Sequence, residues 1–153
     1  RIEHIRGHAA VIFGLTDEPE KAEAESPYSP FFAIVSKSAD YAALNGRQVL
    51  ARETDLVARL VFMQRMHKAY PISGTVCTGA AARIPGSIVF ELLCKDAQRN
   101  GILTIGHPGG VIHVEAEADY SNSIDITKLG VYRTARRIMD GHVYVPNTLH
   151  GGA

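Results

Sequence analysis

The segment His67-Lys-Ala-Tyr-Pro-Ile-Ser-Gly-Thr-Val-Cys-Thr-Gly-Ala-Ala-Ala-Arg-Ile-Pro-Gly86 constrains the fold more than any other stretch of the chain. A polar entry runs straight into small apolar residues. Ser73 is of the type favoured as a helix N-cap, where its hydroxyl accepts from a first-turn N–H. Gly74 and Thr75 then expose unpaired backbone N–H groups. Val76, Cys77, Ala80, Ala81, Ala82 and Ile84 place apolar atoms on nearly every face, the pattern of an enclosed helix rather than a half-solvated one. The pattern predicts a helix over about 74–84, almost fully buried within a layer of strands and opening at its N-terminus on a cavity. Such an end receives a carboxylate or phosphate, because the dipole and the free N–H groups point the same way.

With 153 residues the chain has material for one domain, burying roughly 68–70% of its unfolded surface. Hydrophobic residues make up 46% and charged residues 21%, which is the balance of an ordinary globular protein rather than a disordered one. Basic and acidic residues number 16 each, so no net field favours nucleic acid or an anionic membrane surface. No apolar run reaches the roughly 18–20 residues of a membrane span, and no signal-peptide pattern is present, so a cytoplasmic address is expected. Cys77 and Cys94 lack the spacing of a zinc or redox pair, and reduced thiols are expected, with no metal.

Ile2, Ile5, Ala9, Ile12 and Phe13 recur at helical spacing from the second residue, which predicts a first helix ending near Gly14 and further chain upstream of Arg1. Thr16 to Pro30 is acidic and rich in Ala, Pro and Ser, and reads as a solvated loop. Strands are predicted at Phe31–Ser36, Gln48–Glu53 and Leu56–Met63, with a turn at Asn45-Gly46 between the first two. Ser87–Lys95 leans helical. Ile102–Ile105 and Val111–Ala116 read as strands about the His107-Pro-Gly-Gly110 turn, and Gly130–Arg137 and His142–Val145 as two more across Asp140-Gly141. About seven strands around one apolar helix give an α+β domain in which a curved, mostly antiparallel sheet wraps a central helix.

His67-Lys-Ala-Tyr-Pro, Ala81-Ala-Arg-Ile-Pro-Gly86, Gly106-His-Pro-Gly-Gly110 and Arg133-Thr-Ala-Arg-Arg-Ile-Met-Asp-Gly141, in this order, resemble the C-terminal half of the PrpF-like isomerases. That family is similar to diaminopimelate epimerase in fold and includes methylaconitate, methylitaconate and oxalomesaconate isomerases. These enzymes move a proton along an unsaturated di- or tricarboxylate without a cofactor. The resemblance implies two related domains with the active site in the cleft between them. Residues 1–153 would then be most of the C-terminal domain, and the N-terminal domain would be a partner outside this chain. The family's N-terminal half carries a Cys-Gly-Asn turn whose cysteine serves as acid and base, with a lysine nearby, and no Cys-Gly-Asn occurs here. In diaminopimelate epimerases the second domain brings a cysteine in a Gly-Thr-Gly-Ala-Cys pattern, and Ser73-Gly-Thr-Val-Cys77 occupies what looks like the same place.

Each candidate has two readings. Cys77 is either an acid/base thiol near a helix N-terminus or a small packing residue. Ser73, Gly74, Thr75 and Val76 bind a substrate carboxylate, cap the helix, or do both. His67 orients or protonates substrate, or is a hydrogen-bonded structural residue. Lys37 pairs with a carboxylate or is a solvated strand end. Arg133 and Arg137 share a strand face, where they neutralise a polycarboxylate or make ion pairs. His107-Pro-Gly-Gly110 reads as a turn only.

The first functional expectation is an isomerase half-site for an unsaturated polycarboxylate, inactive as an isolated chain. The second is a non-catalytic module with the same fold, and the third a two-cysteine amino-acid epimerase. Self-association into a homo-oligomer stays open.

Overall fold

The computed structural model describes residues 1–133 and 135–145. Helix α1 (Ile2–Ile12) stops at Gly14, whose φ of +68° only glycine adopts without strain. A short 3₁₀ turn at Pro19–Lys21 and helix α2 (Ala22–Glu25) follow, so the acidic stretch is partly helical rather than all loop. Gly7 lets α1 lie on that turn, since a Cβ there would stand 2.3 Å from the Pro19 carbonyl oxygen. Arg6 ties the same region together by donating to the backbone carbonyls of Ser26 and Ser29, at 2.7 and 2.9 Å.

The main sheet has six strands. β1 (Phe32–Lys37) pairs antiparallel with β4 (Leu56–Phe62), and β4 runs parallel to β6 (Ile102–His107). β6 pairs antiparallel with β7 (Gly110–Asp119) and β7 with β8 (Asp125–Val131), while β5 (Arg65–Met66) folds back on β4. A two-stranded ribbon, β2 (Tyr41–Ala42) and β3 (Gln48–Val49), stands apart. Asn45-Gly46 makes a turn as predicted, but it joins β2 to β3. The expected Gln48–Glu53 strand keeps only two residues, because Ala51–Glu53 is a 3₁₀ turn with the Glu53 carboxylate accepting the Leu50 N–H at 2.8 Å.

The parallel β4–β6 pair requires a crossover, and residues 67–101 supply it: α3 (Ile72–Ala81), α4 (Ile88–Leu92) and α5 (Lys95–Arg99). Helix α3 rests on β7 and β8. Leu56, Ala58 and Leu60 of β4, Leu103 and Ile105 of β6, and Val114 of β7 form the core beneath it. Period-two alternation sends these residues to one sheet face. Two glycines set how near α3 comes, for a Cβ on Gly74 would stand 2.6 Å from Leu60 Cδ1 and one on Gly79 2.8 Å from Val114 Cγ2. At the far end Arg83, 3% exposed, donates to the carbonyls of Ala116 (2.7 Å), Ala97 (2.9 Å), Gln98 (3.1 Å) and Asn100, clamping α3 to α5 and β7.

Three expectations are corrected. Helix α3 is not enclosed: Gly74, Thr75, Thr78, Gly79 and Ala82 are buried, Val76, Ala80 and Ala81 are half-buried, and Ser73 and Cys77 are exposed. Its small residues permit close approach on one side, and within this chain only one sheet face covers them. The helix also starts two residues earlier than predicted, with Pro71 at the N-cap and Ser73 inside the first turn. Proline's fixed φ, here −62° with ψ 151°, sets the entry that a serine cap was expected to set. Finally, Gly130–Arg137 is strand only at its first two residues, and 142–145 form none; β8 lies earlier, at 125–131. Thr134 lies outside the described residues. Among the described residues no helix is long and apolar enough to cross a membrane, and both cysteines are free.

Candidate active site

The N-terminus of α3 carries exposed Ile72 and Ser73 and adjoins an open depression. Thr75 donates its N–H to the Pro71 carbonyl at 2.8 Å and its hydroxyl to the same oxygen at 2.9 Å. The free N–H groups are therefore those of Ile72, Ser73 and Gly74, starting two positions earlier than the sequence suggests. Thr75 is fully buried and faces the sheet, so its hydroxyl caps its own helix and does not reach an anion at the mouth. Val76 is half-buried on the second turn.

Ser73 and Cys77, four residues apart, form an exposed stripe about 6 Å long. An open depression of about 640 Å³ adjoins it, walled by Phe13, Tyr28, Phe31 and Leu60 and floored by Ser73 and Cys77. Phe62 braces the aromatic wall, 5.3 Å from the Phe31 ring centroid and 6.0 Å from that of Tyr28. Beneath the stripe Tyr70 and Thr78 share a buried hydrogen bond of 2.8 Å, and burial, with Cys77 nearby, pushes the Tyr70 phenol above its ordinary pKa. Cys77 is thus a solvent-facing thiol and not a core residue of this chain.

His67 stands on the approach to α3, half-buried, and its Nδ1 accepts the Ala69 N–H at 3.1 Å. An accepting Nδ1 places the proton of a neutral ring on Nε2, where it can donate to a carboxylate. Lys37 is not brought to this end. It pairs with Leu56, whereas the helix mouth lies over Leu60, four strand residues or about 13 Å away. Arg133 is exposed outside any strand, and Arg137 pairs with exposed Asp140, so the shared face expected for the two arginines is not formed. Among the described residues no group of three His, Cys, Asp or Glu converges as a metal site.

The residue that sequence reading passed over is His107. It is 8% exposed at the end of β6, and its Nδ1 accepts the Gly109 N–H at 3.1 Å. Burial above all, then the nearby Arg59 and His67, hold its pKa below the ordinary value. The only sequence signal was a histidine opening a two-residue hairpin turn.

The family description "PrpF protein" matches residues 1–146. The 3-methylitaconate isomerase of Eubacterium barkeri is 41% identical over 94% of this chain and 37% of its own length. The 2-methyl-aconitate isomerase of Shewanella oneidensis is 33% identical over 95% of this chain and 36% of its own. The crystal structure of methylitaconate-delta-isomerase superposes with a TM-score of 0.80 at 38% identity, covering 99% of this chain and 38% of that one. The chain thus spans just over a third of the length of these relatives.

Proposed function

The chain belongs to the PrpF family, and from that premise we propose that residues 1–153 are the C-terminal part of an isomerase that shifts a proton and a double bond in an unsaturated di- or tricarboxylate. An N-terminal domain outside this chain supplies the other wall of the site and the principal acid and base. The observation that carries this reading is the mouth of α3, where the N–H groups of Ile72, Ser73 and Gly74 are free and Ser73 and Gly74 line an open depression.

The chemistry follows from charge. A base removes an allylic proton, and the electron pair left behind spreads through the double bond into a carboxylate, giving a dienolate. The N–H groups of Ile72, Ser73 and Gly74 are aimed where that negative charge grows, so they hold the transition state more tightly than the ground state. His67 donates from Nε2 to the same or a second carboxylate. Return of a proton to the other end of the allyl system completes the shift, and these steps call for no cofactor. Cys77 lies one turn beyond the free N–H groups and is assigned no proton transfer.

The names of the relatives support methylitaconate-, methylaconitate- or oxalomesaconate-like substrates. A stand-alone module that binds such an anion without turnover is the second reading, favoured by the lack of any Cys-Gly-Asn in the chain.

Titration of the isotopically labelled chain with itaconate, followed by NMR, tests the anion site. The amide signals of Ile72, Ser73 and Gly74 are expected to move with itaconate and to stay still with its uncharged dimethyl ester. Equal movement with both, or movement confined to other residues, would overturn the assignment.

A further inference from the structure

The turn Pro108-Gly109 is held from two sides. On one side the β2–β3 ribbon grips it: the Leu44 N–H donates to the Pro108 carbonyl at 2.8 Å, and the Tyr41 hydroxyl donates to the Gly110 carbonyl. On the other side it lies near the approach to α3, for a Cβ on Gly109 would stand 3.3 Å from the Lys68 carbonyl oxygen and 3.2 Å from His107 Cε1. The turn therefore lies between the ribbon and Lys68 of the His67–Pro71 segment. Its internal tie is the Gly109 N–H on His107 Nδ1, a bond that exists only while that nitrogen is unprotonated. His107 is buried, and the Arg59 guanidinium lies near it, so the neutral ring is the form the site favours.

We propose that His107 is a positioning residue: as a neutral acceptor for Gly109 it sets the turn against the Lys68 carbonyl and so fixes where His67 and the free N–H groups of α3 stand. The inference rests on the proposed carboxylate site but does not stand or fall with it, because the placement of His67 can be read without ligand. His67 Nδ1 holds the Ala69 N–H within the segment's own turn, and the His67 N–H ties the segment to the Leu60 carbonyl at 2.8 Å, so both report on how the segment is set.

Two variants of the full chain separate positioning from mere filling. His107→Asn presents an oxygen on Cγ where Nδ1 stood, whereas His107→Leu fills the space without an acceptor. Hydrogen exchange of the Ala69 N–H and the ring nitrogen signals of His67 are read by NMR in each. In His107→Leu, Ala69 is expected to exchange at least tenfold faster and His67 to leave its single Nε2-protonated form; in His107→Asn both return to the wild-type pattern. His67 and Ala69 unchanged in a folded His107→Leu chain would overturn the inference, as would equal disturbance in both variants. Itaconate titration is the second arm. Binding to wild type that survives His107→Leu undiminished contradicts the positioning role, while His67 responding to His107 with no itaconate bound by any form contradicts the substrate site alone.

Discussion

Thr75 looks in the sequence like a ligand to substrate, and the fold gives it other work. Its hydroxyl is buried on the Pro71 carbonyl. Thr75→Val should therefore leave itaconate binding unchanged and lower the urea-unfolding free energy by about 0.5–1.5 kcal/mol, the net worth of one neutral hydrogen bond. A loss of binding without loss of stability would restore the substrate role. Cys77, which the sequence left between an acid/base thiol and a packing residue, lies on an exposed stripe. In an intact two-domain protein Cys77→Ser is expected to keep most of the turnover, and a fall of orders of magnitude with binding unchanged would make the thiol a catalytic group. His107 gives a pH dependence with a definite sign. Its folded pKa is depressed, so near pH 6.5 the unfolded chain takes up a proton that the folded chain refuses. Stability from this group is complete above that pH and is lost as pH falls toward the folded value. The urea midpoint should drop between pH 7 and 5, and drop less in His107→Asn.

At the scale of elements, α3 shows what a sequence pattern carries and what it leaves out. Its existence follows from 72–82 alone, and so does the need for small residues. What the pattern cannot state is how many sides are covered, because small apolar residues serve a helix pressed on one sheet as well as one enclosed by strands. Gly79 is the sharper marker, since its missing Cβ lies 2.8 Å from a methyl of Val114, a stiff β-branched side chain. Gly79→Ala should cost about 1–3 kcal/mol by overpacking, despite alanine's better helix propensity, and a stabilised variant in urea would show that α3 sits higher on the sheet than described. The His107–Gly110 turn was legible as a hairpin from its own residues. Its nearness to Lys68 was not, because it joins segments about forty positions apart. The same holds for the start of α3, where the serine signal was local and real but proline two residues earlier took the cap. The 142–145 segment alternates like a strand, yet alternation gives only a strand's face, and pairing needs a neighbour.

Across the whole molecule, the proposed carboxylate site joins the mouth of α3 to an open depression and holds no group assigned to proton transfer. The chain spans just over a third of the length of the isomerases to which it is similar, and the Cys-Gly-Asn that the resemblance makes acid and base does not occur in it. The account therefore divides the labour, with carboxylate binding on this chain and proton transfer on the other part. Solvent deuterium incorporation into the allylic position of itaconate measures that division most directly, with the purified chain alone and with the N-terminal part of a PrpF-family protein added. The account predicts no exchange by the chain alone and exchange once the other part is present. Catalysed allylic exchange by the purified chain alone would contradict it.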